Sequence, residues 1–208
     1  MKKAIIWDLD GTLLDSYDVI VESICFAFAE FGIPYNKEEI HSVAIQSSIK
    51  ALFAEKERNY NVDVSLLQRR YSEISGSKYQ LIKAEKQAYE ALQLLSEKGY
   101  EHYVFTHRGK TTIPVLDHLH MTSYFRQIIT SQHGFQRKPH PEGLLHLIEE
   151  NELEPGNTYY VGDRKLDMLC AKNAGIPGIL YMPEGSLDVA GEETYVVKEL
   201  LDILRIVN

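Results

Sequence analysis

A chain of 208 residues, 44% of them hydrophobic, is long enough to bury a full core, either as one domain with an insert or as two small domains. Its formal net charge of -8 excludes a general nucleic-acid surface, because nonspecific binding to phosphate backbones draws on clustered Lys and Arg; any anion binding must be local. The only two cysteines, Cys25 and Cys170, sit among apolar helical residues and point to reduced thiols in a cytoplasmic protein, and the apolar run after Met1-Lys2-Lys3 is too short for a signal peptide or a membrane-spanning helix.

The run Ala4-Ile5-Ile6-Trp7 predicts a buried strand over 4–7, leading directly into Asp8-Leu9-Asp10-Gly11-Thr12-Leu13. The carboxyl end of a strand is where an α/β sheet presents chemistry, and strand alternation points the side chains of an Asp-x-Asp pair the same way. Gly11 permits a sharp turn there, and Thr12 adds a hydroxyl. Such a pair suits one nucleophile and one proton-transfer group sharing a metal. The same residues are ordinary turn formers, so the stretch alone reads either way. From about 16 to 81 the pattern is all-helical: Ile20, Ile24, Phe28 and Phe31 recur at helical spacing until Gly32 and Pro34 stop them, Asn36 with Glu39 forms a capping-box pattern, and further stripes run through Ile49, Leu52 and Phe53 and through Leu66, Leu67, Arg70, Tyr71 and Ile74. Beyond this block, strands at 102–106, 127–130, 158–161 and 176–181 alternate with helices near 85–98, 110–120, 141–151 and 164–174. That alternation predicts an α/β fold, a Rossmann-like parallel sheet with right-handed crossovers and helices on both faces. Residues 1–15 and 82–208 form this core, and 16–81 are an inserted all-helical domain.

Four stations follow one another along the chain. Asp8-x-Asp10-x-Thr12 ends the first strand; Tyr103-Val104-Phe105 ends in Thr106; Lys138 sits in Arg137-Lys138-Pro139-His140-Pro141, at a later helix start; and Thr158-Tyr159-Tyr160-Val161 ends in Gly162-Asp163, with Asp167 four residues on. Taken singly, Thr106 reads as a β-branched residue in a favourable place, Lys138 as a solvated lysine, and Asp163 as a helix N-cap with Asp167 answering the helix dipole. In this order and over most of the chain they resemble the haloacid dehalogenase-like superfamily, in particular its phosphoglycolate phosphatase and β-phosphoglucomutase-like members with a helical cap.

The resemblance implies a mobile cap at 16–81 and a Mg²⁺-dependent phosphatase that acts on a small phosphorylated metabolite. Asp8 would be the nucleophile, forming an aspartyl-phosphate, and Asp10 the general acid and base. Thr106, the backbone that follows it at His107 and Arg108, and Lys138 would hold the phosphate group beside Gly11 and Thr12. The Mg²⁺ ligands would be the Asp8 side chain, the Asp10 backbone carbonyl and Asp163, with Asp167 supporting through water. A phosphosugar mutase using the same intermediate is the first alternative. A dehalogenase, which needs the nucleophile but neither metal nor second Asp, and a catalytically silent binding module are further ones. No nucleic-acid or membrane partner is implied, and the chain is expected to be a monomer or homodimer.

The cap departs from the resemblance. Relatives acting on phosphoglycolate or sugar phosphates often carry a Gly-containing loop after the second cap helix, whereas Ser42-Val43-Ala44-Ile45-Gln46-Ser47-Ser48-Ile49-Lys50 has no Gly. Gln46, Lys50 and Arg70 read equally as substrate contacts and as solvated helix faces. Arg108 and Arg164 read equally as substrate ligands and as surface or ion-pair residues. The eight histidines show no convincing zinc spacing, and the many tyrosines fit core and strand positions.

Overall fold

The computed structural model describes residues 2–46, 49–183 and 194–207. The chain divides into two compact units, Met1–Leu14 with Ala84–Asn208 and Asp15–Lys83. It begins with β1 (Lys3–Trp7), whose Ala4, Ile5, Ile6 and Trp7 are all fully buried, as a central parallel strand covered on both faces requires. A short β2 (Leu14–Asp15) follows the Asp8–Leu13 turn, in which Gly11 adopts a φ of 79° and its N–H donates to Leu14 O at 2.8 Å.

Four helices come next: α1 (Tyr17–Glu30), α2 (Lys37–Gln46), α3 (Ile49–Tyr60) and α4 (Val64–Ser77). Ile20, Ile24 and Phe28 of α1 pack with Leu52, Phe53, Leu67 and Ile74 in one apolar cluster, which is the stripe expected from their spacing. Gly32, at a φ of 65°, ends α1, with Ile33 N–H returning to Phe28 O at 2.9 Å. The Asn36 side chain accepts from Glu39 N–H at 3.0 Å, and Asp63 caps α4 by accepting from Ser65 and Leu66 N–H.

The chain returns through β3 (Lys83–Ala84), which pairs with β2, and then alternates: α5 (Ala88–Glu97), β4 (Tyr100–Phe105), α6 (Thr112–His118), β5 (Phe125–Ile129), α7 (Glu142–Glu150), β6 (Thr158–Gly162), α8 (Lys165–Ala174), β7 (Gly178–Tyr181), β8 (Tyr195–Val197) and α9 (Ile203–Ile206). The main sheet has six parallel strands in the order β5-β4-β1-β6-β7-β8. The strands after β1 are laid down first on one side of it and then on the other. In an open α/β sheet such a reversal of order opens a crevice at the carboxyl ends, and Asp8, Thr106 and Asp163 stand just past the ends of β1, β4 and β6. Beneath that edge, Ala4, Ile6, Tyr103, Phe105 and Tyr160 pack with Leu144 and Leu147 of α7 and Cys170 and Ala171 of α8. The opposite side has a polar tie: Trp7 Nε1–H donates to His102 Nδ1 at 3.0 Å, so His102 carries its proton on Nε2 and donates it toward Leu92 O at 3.0 Å.

The β2–β3 pair, the edge strand β8 and the short α9 were not expected from the sequence. Lys138 also lies in the loop ahead of α7 rather than at its start. No helix among the described residues is long and apolar enough to cross a membrane.

Candidate active site

Asp8 continues β1 by one residue, donating its N–H to Val161 O at 2.8 Å, and is 1% exposed. Lys138 Nζ lies 2.9 Å from its Oδ1, and Arg164 Nη2 lies 3.6 Å from its Oδ2. The Lys138 ammonium and the Leu9 backbone N–H both donate toward the carboxylate. Burial pushes the carboxyl up, but the charges of Lys138 and Arg164 prevail and hold it below the usual carboxylate range. Asp8 is therefore ionised at neutral pH.

Lys138 is wholly buried and bridges two carboxylates, Asp8 and Asp167, the latter at 2.8 Å. Burial alone would push its ammonium down; the charges of Asp167 and Asp8 outweigh that and raise it, so the lysine stays charged. Asp167 in turn accepts from Lys138 Nζ and, at 3.1 Å, from the Tyr160 hydroxyl through Oδ1, and from Arg164 N–H at 3.2 Å through Oδ2. It thus answers the amino terminus of α8 by reaching back from inside the first turn. The N-cap residue is Arg164 and not Asp163.

Asp163 is also buried, and Thr12 Oγ1 donates to its Oδ1 at 3.4 Å. One carboxylate oxygen from each of Asp8, Asp163 and Asp167 falls within 4.8 Å of the others. Gly162 makes this convergence possible: a Cβ there would stand 2.5 Å from Asp167 Cβ, closer than side chains tolerate. The Asp10 side chain is outside this group. The strand stops at Trp7, so the alternation expected to align Asp8 with Asp10 does not extend to it, and its carboxylate is gripped by the Arg108 guanidinium.

The segment after β4 knits these parts together. Thr106 N–H donates to Ile129 O at 3.0 Å, and its Oγ1 accepts from Arg108 N–H at 3.1 Å, so the Arg108 amide, expected to face phosphate, is committed locally. His107 Nε2 accepts from Lys138 N–H at 2.9 Å, which places the ring proton on Nδ1. Burial, helped by the charges of Lys138, Arg137 and Arg164, pushes His107 down to about 2, so the ring is neutral.

A family model described as haloacid dehalogenase-like hydrolase matches residues 5–181. The chain belongs to the haloacid dehalogenase-like hydrolases. Among curated relatives, it is 28% identical to a phosphoglycolate phosphatase of Pasteurella multocida over 99% of this chain and 98% of that one. It is 26% identical to the pyrophosphatase PpaX of Anoxybacillus flavithermus over 98% and 96% of the two chains. A solved subfamily IA hydrolase of the same superfamily, from Geobacter sulfurreducens, superposes with a TM-score of 0.76 at 25% identity, covering 100% of this chain and 97% of that one.

Within this haloacid dehalogenase-like hydrolase, Asp8, Thr12, Lys138, Asp163 and Asp167 converge, joined by Arg164, while His107 adjoins them through the Lys138 backbone, Thr106 is tied to Arg108, and Arg108 ties Asp10 to the same loop. Tyr160 is the residue that sequence reasoning left in the core. Its hydroxyl lies 3.0 Å from Phe105 O and 3.1 Å from Asp167, so it orients a site carboxylate as well as filling space. Of the cap residues singled out, Arg70 pairs with Glu30 and Glu73 on its own unit and Lys50 is exposed; Ser47, Ser48 and the Gln46 side chain fall outside the described residues.

Proposed function

We propose that this hydrolase is a Mg²⁺-dependent phosphatase that releases phosphate from a small phosphorylated metabolite by way of a phosphoryl group carried on Asp8. The observation that carries the reading is the condition of Asp8: buried, ionised, held beside Lys138 and grouped with two more carboxylates. Three buried carboxylates against two cationic side chains leave a negative charge that a further cation would offset.

The residues fit a Mg²⁺ ion. Asp8, Asp163 and Asp167 place three negative charges against the two positive charges of Lys138 and Arg164, and an all-oxygen donor set suits a hard cation. The Asp8 and Asp163 side chains and the Asp10 carbonyl would hold it, with Asp167, already engaged by Lys138, Tyr160 and Arg164, supporting through water. When bound, the ion neutralises charge on the transferring phosphoryl group.

The chain's own groups supply the rest. An Asp8 oxygen attacks phosphorus as the bond to the leaving oxygen breaks, and that oxygen takes a proton from Asp10. In the second half, a water oxygen bonds to phosphorus, its proton passes to Asp10, and the phosphorus–Asp8 bond breaks to free phosphate. Lys138 keeps a positive charge against the nucleophile and the incoming anion. Thr106, whose oxygen is acceptor to Arg108 N–H, keeps its hydroxyl proton for a phosphate oxygen, beside the His107 backbone and the Gly11-Thr12 turn. Residues 16–81 serve as the cap that selects the leaving group, and the two buried free thiols fit a cytoplasmic setting.

The relatives named phosphoglycolate phosphatase and pyrophosphatase recommend phosphoglycolate and pyrophosphate as the first compounds to try, alongside sugar phosphates. Phosphate release should vanish on chelation and return with Mg²⁺, and Asp8→Asn should lose several orders of magnitude of turnover with no covalent phosphoenzyme. Full activity after exhaustive chelation, or a phosphorylated Asp8→Asn protein, would overturn the proposal. Return of phosphate to the sugar in place of its release would mark a mutase.

A further inference from the structure

Three consecutive residues after β4 each reach a different part of the site: Thr106 receives the Arg108 amide, His107 receives the Lys138 amide, and the Arg108 side chain crosses to Asp10. The last contact is the most specific. Arg108 Nε lies 3.1 Å from Oδ1 and 3.2 Å from Oδ2 of Asp10, Nη2 donates to Oδ1, and Nη1 donates to Thr111 Oγ1 at 2.9 Å. The guanidinium is 5% exposed and the carboxylate 18%. An ion pair on the open surface contributes little, but a buried fork on a carboxylate fixes the plane of both groups, and here the fork is anchored at Thr111 on one side and through its own backbone to Thr106 on the other.

We infer that Arg108 is a positioning residue for the hydrolytic half of the reaction, setting the plane of the Asp10 carboxylate toward the water that attacks phosphorus on Asp8. The inference rests on the roles proposed above for Asp8 and Asp10. In that step the water oxygen bonds to phosphorus, its proton goes to Asp10, and the Asp8–phosphorus bond breaks and restores the Asp8 carboxylate. Arg108 touches none of these atoms and acts only through Asp10. A displacement of about 1 Å in a group of this kind costs on the order of 10²-fold in rate.

The test uses the full chain with Mg²⁺ and an activated ester, p-nitrophenyl phosphate, and follows phosphorylation and dephosphorylation of Asp8 by rapid quench. Arg108→Gln should hydrolyse the phosphoenzyme about 10²-fold more slowly. Its kcat and KM should fall together so that kcat/KM is kept, because formation of the intermediate from a good leaving group does not need Asp10. Arg108→Lys, which retains the charge without the fork, should fall between wild type and Arg108→Gln, and it serves in place of Arg108→Gln should that variant melt early. Combining Arg108→Gln with Asp10→Asn should be no slower than Asp10→Asn alone. If the two changes multiply, or if kcat/KM falls while phosphoenzyme hydrolysis is unchanged, Arg108 acts on substrate or elsewhere and the inference is wrong. If Asp10→Asn is slow and Arg108→Gln is not, the inference alone fails; if Asp10→Asn hydrolyses the phosphoenzyme at the wild-type rate, the role of Asp10 fails and takes the inference with it.

Discussion

At Gly162 the absence of one carbon atom decides the geometry of the site. A Cβ at this position would stand 2.5 Å from Asp167 Cβ and 2.6 Å from its Cγ, and Asp167 is fastened to Lys138, Tyr160 and the α8 amino terminus. Gly162→Ala should therefore push the carboxylate off Lys138, lowering kcat by about 10²-fold for a shift near 1 Å and lowering stability by about 1–3 kcal/mol from overpacking. Steady-state kinetics with a melting curve checks both, and an unchanged kcat would show that Asp167 can move without consequence. This residue also shows where a single sequence is readable. Asp8, Thr106 and Asp163 stand out because each closes an apolar run, and Lys138 because it opens a Pro-rich turn, all in a recognisable order. Gly162 and Tyr160 do not, because a glycine chosen for a neighbour's volume and a tyrosine chosen for its hydroxyl have the same local pattern as any strand end and any core aromatic. The Arg108–Asp10 fork spans 98 positions of chain, and no local spacing encodes it.

Among the elements, β1, β4 and α5 are joined by the Trp7–His102–Leu92 chain of hydrogen bonds. Burial pushes this histidine down to about 4 against an unfolded value near 6.5, so between those values the unfolded chain binds a proton that the folded chain does not. Stability is then fully present above the unfolded value and is lost as pH falls, with a slope approaching about 1.4 kcal/mol per pH unit from this group. His107, pushed down to about 2, adds to the loss with the same sign. His102→Gln, which can still accept from Trp7 and donate to Leu92, should flatten the dependence by close to one proton in urea melts between pH 4 and 7; an identical slope in the variant would remove His102 as the cause. Elements of this kind were well marked in the sequence where they are long and buried on both faces. The edge strand β8 was not, since its apolar run is only three residues long and Tyr195 and Val196 are exposed. The β2–β3 pair escaped for the same reason, at two residues a strand.

For the molecule as a whole, the two compact units differ in texture: Met1–Leu14 with Ala84–Asn208 alternates strands and helices, and Asp15–Lys83 is built on four helices. The helical unit closes its own core around Phe28, Phe53 and Leu67, and on its surface Arg70 pairs with Glu30 and Glu73. Ligand binding acts on the folded state as a whole by mass action. Mg²⁺ at about 100 times its dissociation constant should raise stability by about 2.7 kcal/mol, and chelation should remove that increment and no more. Calorimetric scans with Mg²⁺ and with chelator check this, and Asp163→Ala should abolish the difference while remaining folded; an equal shift in that variant would place the ion elsewhere.

Lys138 sits between Asp8 and Asp167 with its ammonium 2.9 Å from one and 2.8 Å from the other. Because this counterion is covalently part of the chain, assembly of the site need not wait for a metal to arrive. Zinc fingers, by contrast, stay unstructured until loaded. On the proposed function, loading with Mg²⁺ would then follow folding rather than drive it.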